Sequence, residues 1–135
     1  WPAAVAFALL VAATLFQQTW RSSFLRPADW RNPYAYVHSS PDVFKYRALA
    51  DAALARAPDQ PIRIISEELW PLPWYLRGLA NVDYRSAPPA DCDGALVIAS
   101  ATQAEAVRAK LHRTYRETFL GLRPGFVCIV FTPEP

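Results

Sequence analysis

The chain has 135 residues, which leaves room for one globular domain of ordinary size beside a membrane helix. Its 14 Lys and Arg residues and 12 Asp and Glu residues give a formal net charge of +2, and neither sign forms a block, which argues against a nucleic-acid partner. With 53% apolar residues the chain is not disordered throughout. It begins at Trp1 and contains no methionine, so we expect the tail of a longer protein.

The N-terminal segment, residues 1–20, carries no charged side chain. As a helix it is about 30 Å long, the thickness of a hydrocarbon core, and Trp20 and Arg21 supply an interfacial border. We predict a transmembrane helix and hence a lipid bilayer as partner. A signal peptide and a buried helix of a soluble domain are the alternatives. The many alanines suit packing against other helices, as in the last helix of a polytopic protein.

Residues 21–40 are predicted to be a juxtamembrane linker, because Pro27 and Pro33 disfavour regular structure. Basic residues outnumber acidic ones in this segment, which favours a cytoplasmic flank. The aromatic side chains of the segment can lie at the level of the lipid headgroups or pack on the following domain. These residues are Trp30, Tyr34 and Tyr36.

Residues 41–135 are predicted to form a small α/β domain that opens with a helix. Ser40 is a favourable N-cap, Pro41 suits the first helical position, and the helix should end near Ala57. Asp42 complements the helix dipole. The apolar side chains recur at helical spacing and define a buried face, formed by Val43, Tyr46, Ala50 and Ala53.

Five strands are predicted after this helix. The β-branched run 61–66 indicates a buried strand and residues 81–84 a second one, while the continuous apolar run 94–100 is typical of a central strand covered on both faces. Residues 114–120 and 126–132 are separated by an Arg-Pro-Gly turn signal and predict an antiparallel hairpin. The order of elements implies a mixed sheet with a C-terminal β-hairpin.

Two short helices complete the predicted domain. Pro71 and Pro73 can occupy the first turn of one helix, with Gly78 as its left-handed cap. Thr102 and Glu105 have the spacing of a capping box at the start of the other. The buried face of that second helix is predicted to consist of Ala104, Val107 and Leu111.

The segment after the first strand is the first place to look for a binding site. Glu67 and Glu68 follow a strand end, where ligands of open α/β sheets bind. Carboxylates accept from sugar hydroxyls and aromatic rings pack on a pyranose, so these two residues can bind a sugar together with Trp70, Trp74 and Tyr75. The simpler interpretation, which we favour, is that the carboxylates cap the short helix and the tryptophans anchor the core.

The residues that usually carry catalysis or metal binding are few. His38 lies beside serine hydroxyls, but no nucleophile elbow accompanies it, so a structural loop histidine is the favoured interpretation. Cys92 and Cys128 are too few for a local zinc cluster. They could form one disulfide outside the cytoplasm, or Cys128 could be a small buried side chain. With no Gly-rich phosphate loop either, the sequence predicts no metal, no cofactor and no catalytic residue.

Two segments carry a family resemblance, residues 32–42 (NPYAYVHSSPD) and residues 70–76 (WPLPWYL). They resemble the C-terminal region of flippase-activity-associated membrane proteins of archaea and bacteria, which are similar to the protein mannosyltransferases of the GT-C superfamily. This resemblance implies a polytopic protein that handles polyprenyl-phosphate-linked sugars and has an extracytoplasmic C-terminal domain. We follow it over the count of arginines, because a single flank is weak evidence of orientation.

The resemblance adds candidate contacts but no catalytic residue. The catalytic acid of GT-C enzymes lies in a first extracytoplasmic loop, which has no counterpart in this sequence. Besides the residues after the first strand, His38 and Asp42 become candidate contacts to lipid phosphate, sugar or further membrane helices. Two hypotheses remain: an accessory domain of a glycosyltransferase-like protein, or a noncatalytic module that docks a flippase or another envelope protein.

Overall fold

The computed structural model describes residues 1–26, 29 and 39–134. The chain divides into two compact units, Trp1–His38 and Ser39–Pro135, and each is described by itself. Of the predicted linker, the aromatic residues Trp30, Tyr34 and Tyr36 lie outside the described residues, and so does His38.

The first unit is a single helix. Helix α1 spans Pro2–Trp20 and continues as a π-helical turn over Arg21–Leu25. The segment Pro2–Leu25 is 24 residues long and contains an 18-residue stretch with a mean hydropathy of 1.5, so it is long and apolar enough to cross a membrane. It extends past the predicted start of the linker at residue 21, because no proline interrupts the helical hydrogen bonds before Pro27.

The second unit begins with helix α2, Val43–Arg56. All four residues of its predicted buried face are buried, so that prediction is confirmed. The helix starts two residues after the predicted Pro41, because Pro41 and Asp42 form a turn in which the Val43 amide donates to the carbonyl of Ser40 at 3.1 Å. The Ser40 hydroxyl accepts from the Asp42 amide at 3.3 Å, so it caps this turn.

Five strands form one mixed sheet: β1 Ile62–Ile65, β2 Val82–Arg85, β3 Leu96–Ser100, β4 Tyr115–Arg123 and β5 Phe126–Pro133. Their spatial order is β2-β1-β3-β5-β4. The first three strands are parallel, and β5 pairs antiparallel with both β3 and β4. The predicted α/β fold is therefore confirmed, with β3 in the middle of the sheet and a C-terminal hairpin.

The two short helices are α3, Leu72–Tyr75, and α4, Ala104–Arg108. Gly78 has φ of +79°, so the predicted left-handed residue after α3 is confirmed. The predicted capping box of α4 is wrong, since no side chain caps this helix. The hydroxyl of Thr102 instead pairs with that of Ser100 at 2.9 Å, which satisfies a buried polar group at the end of β3.

The core has two halves, one on each face of the sheet, because side chains alternate along every strand. In β3, Leu96 and Ile98 point to the face covered by α2 and α3, while Val97 and Ala99 point to the face covered by α4. We call these the α2 face and the α4 face. Continuous apolar burial of β3 on both sides explains why its central position could be predicted.

Both cysteines are free and buried, and they lie on opposite faces of the sheet. Cys128 belongs to the α2 face and Cys92 to the α4 face, so they form no disulfide. The interpretation of Cys128 as a small buried side chain is confirmed. Its burial raises the pKa of the thiol to about 11, which keeps it protonated and unreactive at neutral pH.

The edge where the parallel strands begin, the amino edge, is closed by paired polar groups. The Tyr115 hydroxyl donates to the Gly94 carbonyl at 3.1 Å and accepts from the Gly94 amide at 3.0 Å. Arg113 donates to the same carbonyl at 3.1 Å and to the side chain of Gln60 at 2.8 Å. These contacts join the starts of β1, β3 and β4.

Candidate functional site

The carboxyl edge of the sheet, where β1, β2 and β3 end, carries the acidic residues predicted from the sequence. Ser66, 2% exposed, follows β1 and turns the chain there. Its hydroxyl donates to the Glu68 carbonyl at 2.8 Å and accepts from the Glu68 amide at 3.2 Å. The loop is thereby fixed with both glutamate side chains exposed to solvent.

Glu68 forms an ion pair with Arg123, at the end of β4. The guanidinium of Arg123 also lies 5.0 Å from the ring centre of Phe126. The Glu68 side chain is 57% exposed, so solvent screens the pair and its contribution to stability is small. The pair instead fixes the loop after β1 against the β4–β5 hairpin. The predicted capping of α3 by these glutamates is wrong, since no side chain caps that helix.

Asp42 reaches the same hairpin from the start of α2. One carboxylate oxygen lies 2.6 Å from the ammonium of Lys45, and the other accepts from the Gly121 amide at 3.1 Å. The hydrogen bond from Lys45, and after it the one from Gly121, holds the pKa of Asp42 below its usual value. The carboxylate contacts Gly121 and Glu68 contacts Arg123, two positions further along β4. The structure therefore brings these two candidates to one end of the hairpin.

Glu67 and Trp70 are exposed at the carboxyl edge, and neither forms a polar or ring contact within the part of the chain that the structure describes. The side chain of Trp70 is 66% exposed. The core beneath this segment is filled instead by Leu72 and Leu76, both fully buried on the α2 face. The interpretation of Trp70 as a core anchor is therefore wrong, because leucines at i and i+4 take that place.

Trp74 lies on the outer side of α3, whereas Tyr75 is half-buried and packs against the core of the α2 face. Trp74 is 58% exposed, and the guanidinium of Arg77 covers its ring at 4.2 Å. The ring of Tyr75 meets that of Phe44 from α2 edge to face, with 5.7 Å between centroids. The described candidates thus form two sets. Asp42, Glu67, Glu68 and Trp70 lie at the carboxyl edge, and Trp74 and Tyr75 lie on α3. His38, the remaining candidate, lies outside the described residues.

Two residues that contact these sets escaped the sequence analysis. Arg123 was considered only as part of a turn signal, because nothing local indicates that it pairs with Glu68. The exposure of Phe44 could have been predicted, because this large apolar residue falls outside the buried periodicity of α2. It is 71% exposed.

An open cavity of about 290 Å³ lies at the amino edge, away from the candidates. It is lined by Arg56, Arg116, Thr132, Pro133 and Glu134. Within residues 1–26, 29 and 39–134, no cluster of three or more His, Cys, Asp and Glu side chains is placed to hold a metal ion. At the carboxyl edge, the exposed side chains of Glu67 and Trp70 present a hydrogen-bond acceptor and an aromatic ring to solvent.

Comparisons with protein-family models, with curated proteins and with solved structures found no match for this chain. The resemblance carried by residues 32–42 and 70–76 stays a prediction.

Proposed function

We propose that this chain is the C-terminal part of a polytopic membrane protein that acts on polyprenyl-phosphate-linked sugars. In this proposal its α/β domain lies on the extracytoplasmic side and binds sugar as an accessory domain, without carrying the catalytic residues. The family, the lipid-linked substrate and the orientation rest on the resemblance of residues 32–42 and 70–76. The membrane-competent helix Pro2–Leu25 supports the attachment to a bilayer.

The observation that carries the binding role is the exposure of Glu67 and Trp70 on one short loop at the carboxyl edge. A carboxylate without a protein partner can accept from sugar hydroxyls, and an exposed indole can pack on the apolar face of a pyranose. Ser66 and the ion pair of Glu68 fix the loop backbone, so the site is ordered before the ligand arrives.

The proposal assigns no catalytic residue to the domain. His112, the one histidine among residues 39–134, bonds through its backbone amide to Asp93 at 3.0 Å, and its side chain contacts no hydroxyl or thiol there. The thiols of Cys92 and Cys128 have pKa values raised by burial. Within these residues His112 and the two thiols therefore form no pair of general base and nucleophile.

The test compares Glu67→Gln and Trp70→Ala with the control Asp59→Asn. Asp59 is an exposed carboxylate in the turn before β1, at the other edge of the sheet. We expect each site variant to lower sugar transfer from a polyprenyl-phosphate donor about tenfold, the loss of one charge-assisted hydrogen bond or one stacking contact. The control should transfer at the normal rate. Membrane insertion and thermal melting of all three variants must match the parent protein. Normal transfer by both site variants would refute the sugar site.

An interaction module that docks a flippase or another envelope protein is the second candidate. It is favoured by an uncovered apolar patch on the α4 face, where Phe119 is 65% and Val127 is 45% exposed on adjacent strands. Deleting residues 39–135 from the full-length protein separates the two candidates. Loss of transfer supports the accessory domain, whereas full transfer with loss of the copurifying partner supports the docking module.

A further inference from the structure

An exposed aromatic surface extends across the outer sides of α2 and α3. It consists of the exposed rings of Phe44 and Trp74 and of the half-buried Tyr75, whose edge-to-face contact with Phe44 connects the two helices. Phe44 is 71% and Trp74 58% exposed. Soluble domains rarely expose neighbouring large apolar side chains. We therefore expect another molecule or a membrane to cover this aromatic surface in the functional protein.

Cations border the aromatic surface. The guanidinium of Arg77 stacks on Trp74 at 4.2 Å and donates to the Trp74 carbonyl at 2.9 Å. Arg47 donates to the Arg77 carbonyl at 3.1 Å and forms its ion pair with Asp51, whereas Arg77 meets no carboxylate among the described residues. The remaining N–H donors of Arg77 are thus available to an anion outside the protein.

This combination of groups matches a lipid interface. Tryptophan and tyrosine concentrate at the headgroup level of membranes, and arginine there donates to lipid phosphates. The chain also carries its own membrane-competent helix, and the segment 26–42 ties the aromatic surface to it. Such a tether gives the surface a high effective concentration near a bilayer, so even a weak affinity for lipid leads to contact.

We propose that the aromatic surface of the α/β domain binds the headgroup region of a lipid bilayer. Phe44 and Trp74 insert at the boundary with the acyl chains, and Arg77 donates to lipid phosphates. The contact involves neither Glu67 nor Trp70, so it is separate from the proposed sugar site. It makes the domain a peripheral membrane domain in addition to its anchorage through α1.

The test uses the full chain with Trp74 as its sole tryptophan, obtained by changing the other four to phenylalanine. It is reconstituted into vesicles of phosphatidylcholine and phosphatidylglycerol whose acyl chains are brominated, which quenches nearby indoles. The matched control combines Phe119→Trp with Trp74→Phe, because Phe119 is exposed to a similar extent but lies on the α4 face. Both chains must melt at the same temperature.

We expect brominated lipid to quench Trp74 about threefold more strongly than the control tryptophan, with a blue-shifted emission. Equal quenching of the two tryptophans would overturn the proposal. Emission that is blue-shifted and shielded from iodide but insensitive to brominated lipid would also overturn it, in favour of a protein partner on this surface.

A charge variant tests the phosphate contact independently. Arg77→Glu should reduce the quenching of Trp74 about twofold in the anionic vesicles, and added salt should weaken the quenching of the parent chain. The control Arg56→Glu changes an exposed arginine at the C-terminal end of α2, whereas Phe44 lies near the start of that helix. This variant should leave the quenching of Trp74 unchanged. Equal quenching in the Arg77 and Arg56 variants would contradict the assignment of Arg77.

Discussion

The two edges of the sheet use their polar groups differently. At the amino edge, Gly94, Arg113 and Tyr115 bond to one another and join three strand starts. At the carboxyl edge, Ser66 and Arg123 fix the loop after β1, yet Glu67 is left exposed on it. Polar groups that satisfy one another stabilise the fold, whereas exposed groups on a fixed loop are available to a ligand. We therefore expect substitutions at the amino edge to lower stability most.

The largest expected loss of stability comes from Gly94→Ala at the amino edge. A Cβ atom at this position would lie 2.5 Å from the carbonyl oxygen of Pro61, and that atom belongs to the backbone and cannot rotate away. We expect the free energy of unfolding to fall by about 3 kcal/mol, the cost of overpacking a rigid site. Chemical denaturation of the parent and variant measures this difference.

The control for Gly94 is Gly125→Ala at the carboxyl edge. Gly125 has φ of +77° and no atom within 4 Å of an added Cβ, so only backbone strain opposes alanine. We expect a loss of about 1 kcal/mol there. A loss at Gly125 as large as that at Gly94 would contradict the contrast between the edges.

A smaller loss is expected for Tyr115→Phe. The hydroxyl of Tyr115 bonds to both backbone groups of Gly94 and accepts from Arg113 at 3.1 Å, so its removal leaves the partly buried amide of Gly94 unpaired. We expect the free energy of unfolding to fall by about 1 to 2 kcal/mol. Tyr75→Phe removes a hydroxyl that has no hydrogen bond within the described residues, and it should change stability by less than about 0.5 kcal/mol. A loss of unfolding free energy for Tyr115→Phe no larger than that for Tyr75→Phe would show that the hydrogen bonds of the Tyr115 hydroxyl do not stabilise the amino edge.

The sheet could be predicted from the sequence because its signal is local. The run 94–100 is apolar at nearly every position, and burial on both faces is the arrangement that accommodates it. The buried face of α2 was likewise given by its spacing. Two short segments, 61–66 and 81–84, were recognised as strands from their β-branched and aromatic residues.

The site was predicted less completely, because its contacts join distant parts of the chain. The pairing of Glu68 with Arg123 connects residues that no local pattern relates. In and around the short helix α3, leucines and tryptophans are both hydrophobic enough to fill the core. Hydrophobicity alone therefore does not predict which of them is buried. Leu72 and Leu76 occupy the core, which leaves Trp70 and Trp74 exposed. Both residues of the proposed site could be named from the sequence, but the exposure of Trp70 could not be predicted.

Asp42 lies at the carboxyl edge, but its carboxylate is bound within the fold by Lys45 and by the Gly121 amide. Its pKa is lowered in the folded chain, chiefly by the hydrogen bond from Lys45. A carboxyl group with a depressed folded pKa stabilises the fold above its unfolded pKa, which is near 3.8, and this contribution is lost as the pH falls through the folded value. Stability from Asp42 is therefore present at neutral pH and absent in strong acid.

The variant Asp42→Asn keeps an acceptor for the Gly121 amide but removes the charge that binds Lys45. We expect the melting temperature of the parent to exceed that of the variant at about pH 6, with the gap closing toward about pH 2, since protonation removes the same charge from the parent. Asp59→Asn, at an exposed carboxylate with no ion pair within the described residues, should show no gap that depends on pH. A constant gap for Asp42→Asn would mean that this carboxylate does not stabilise the fold through its charge.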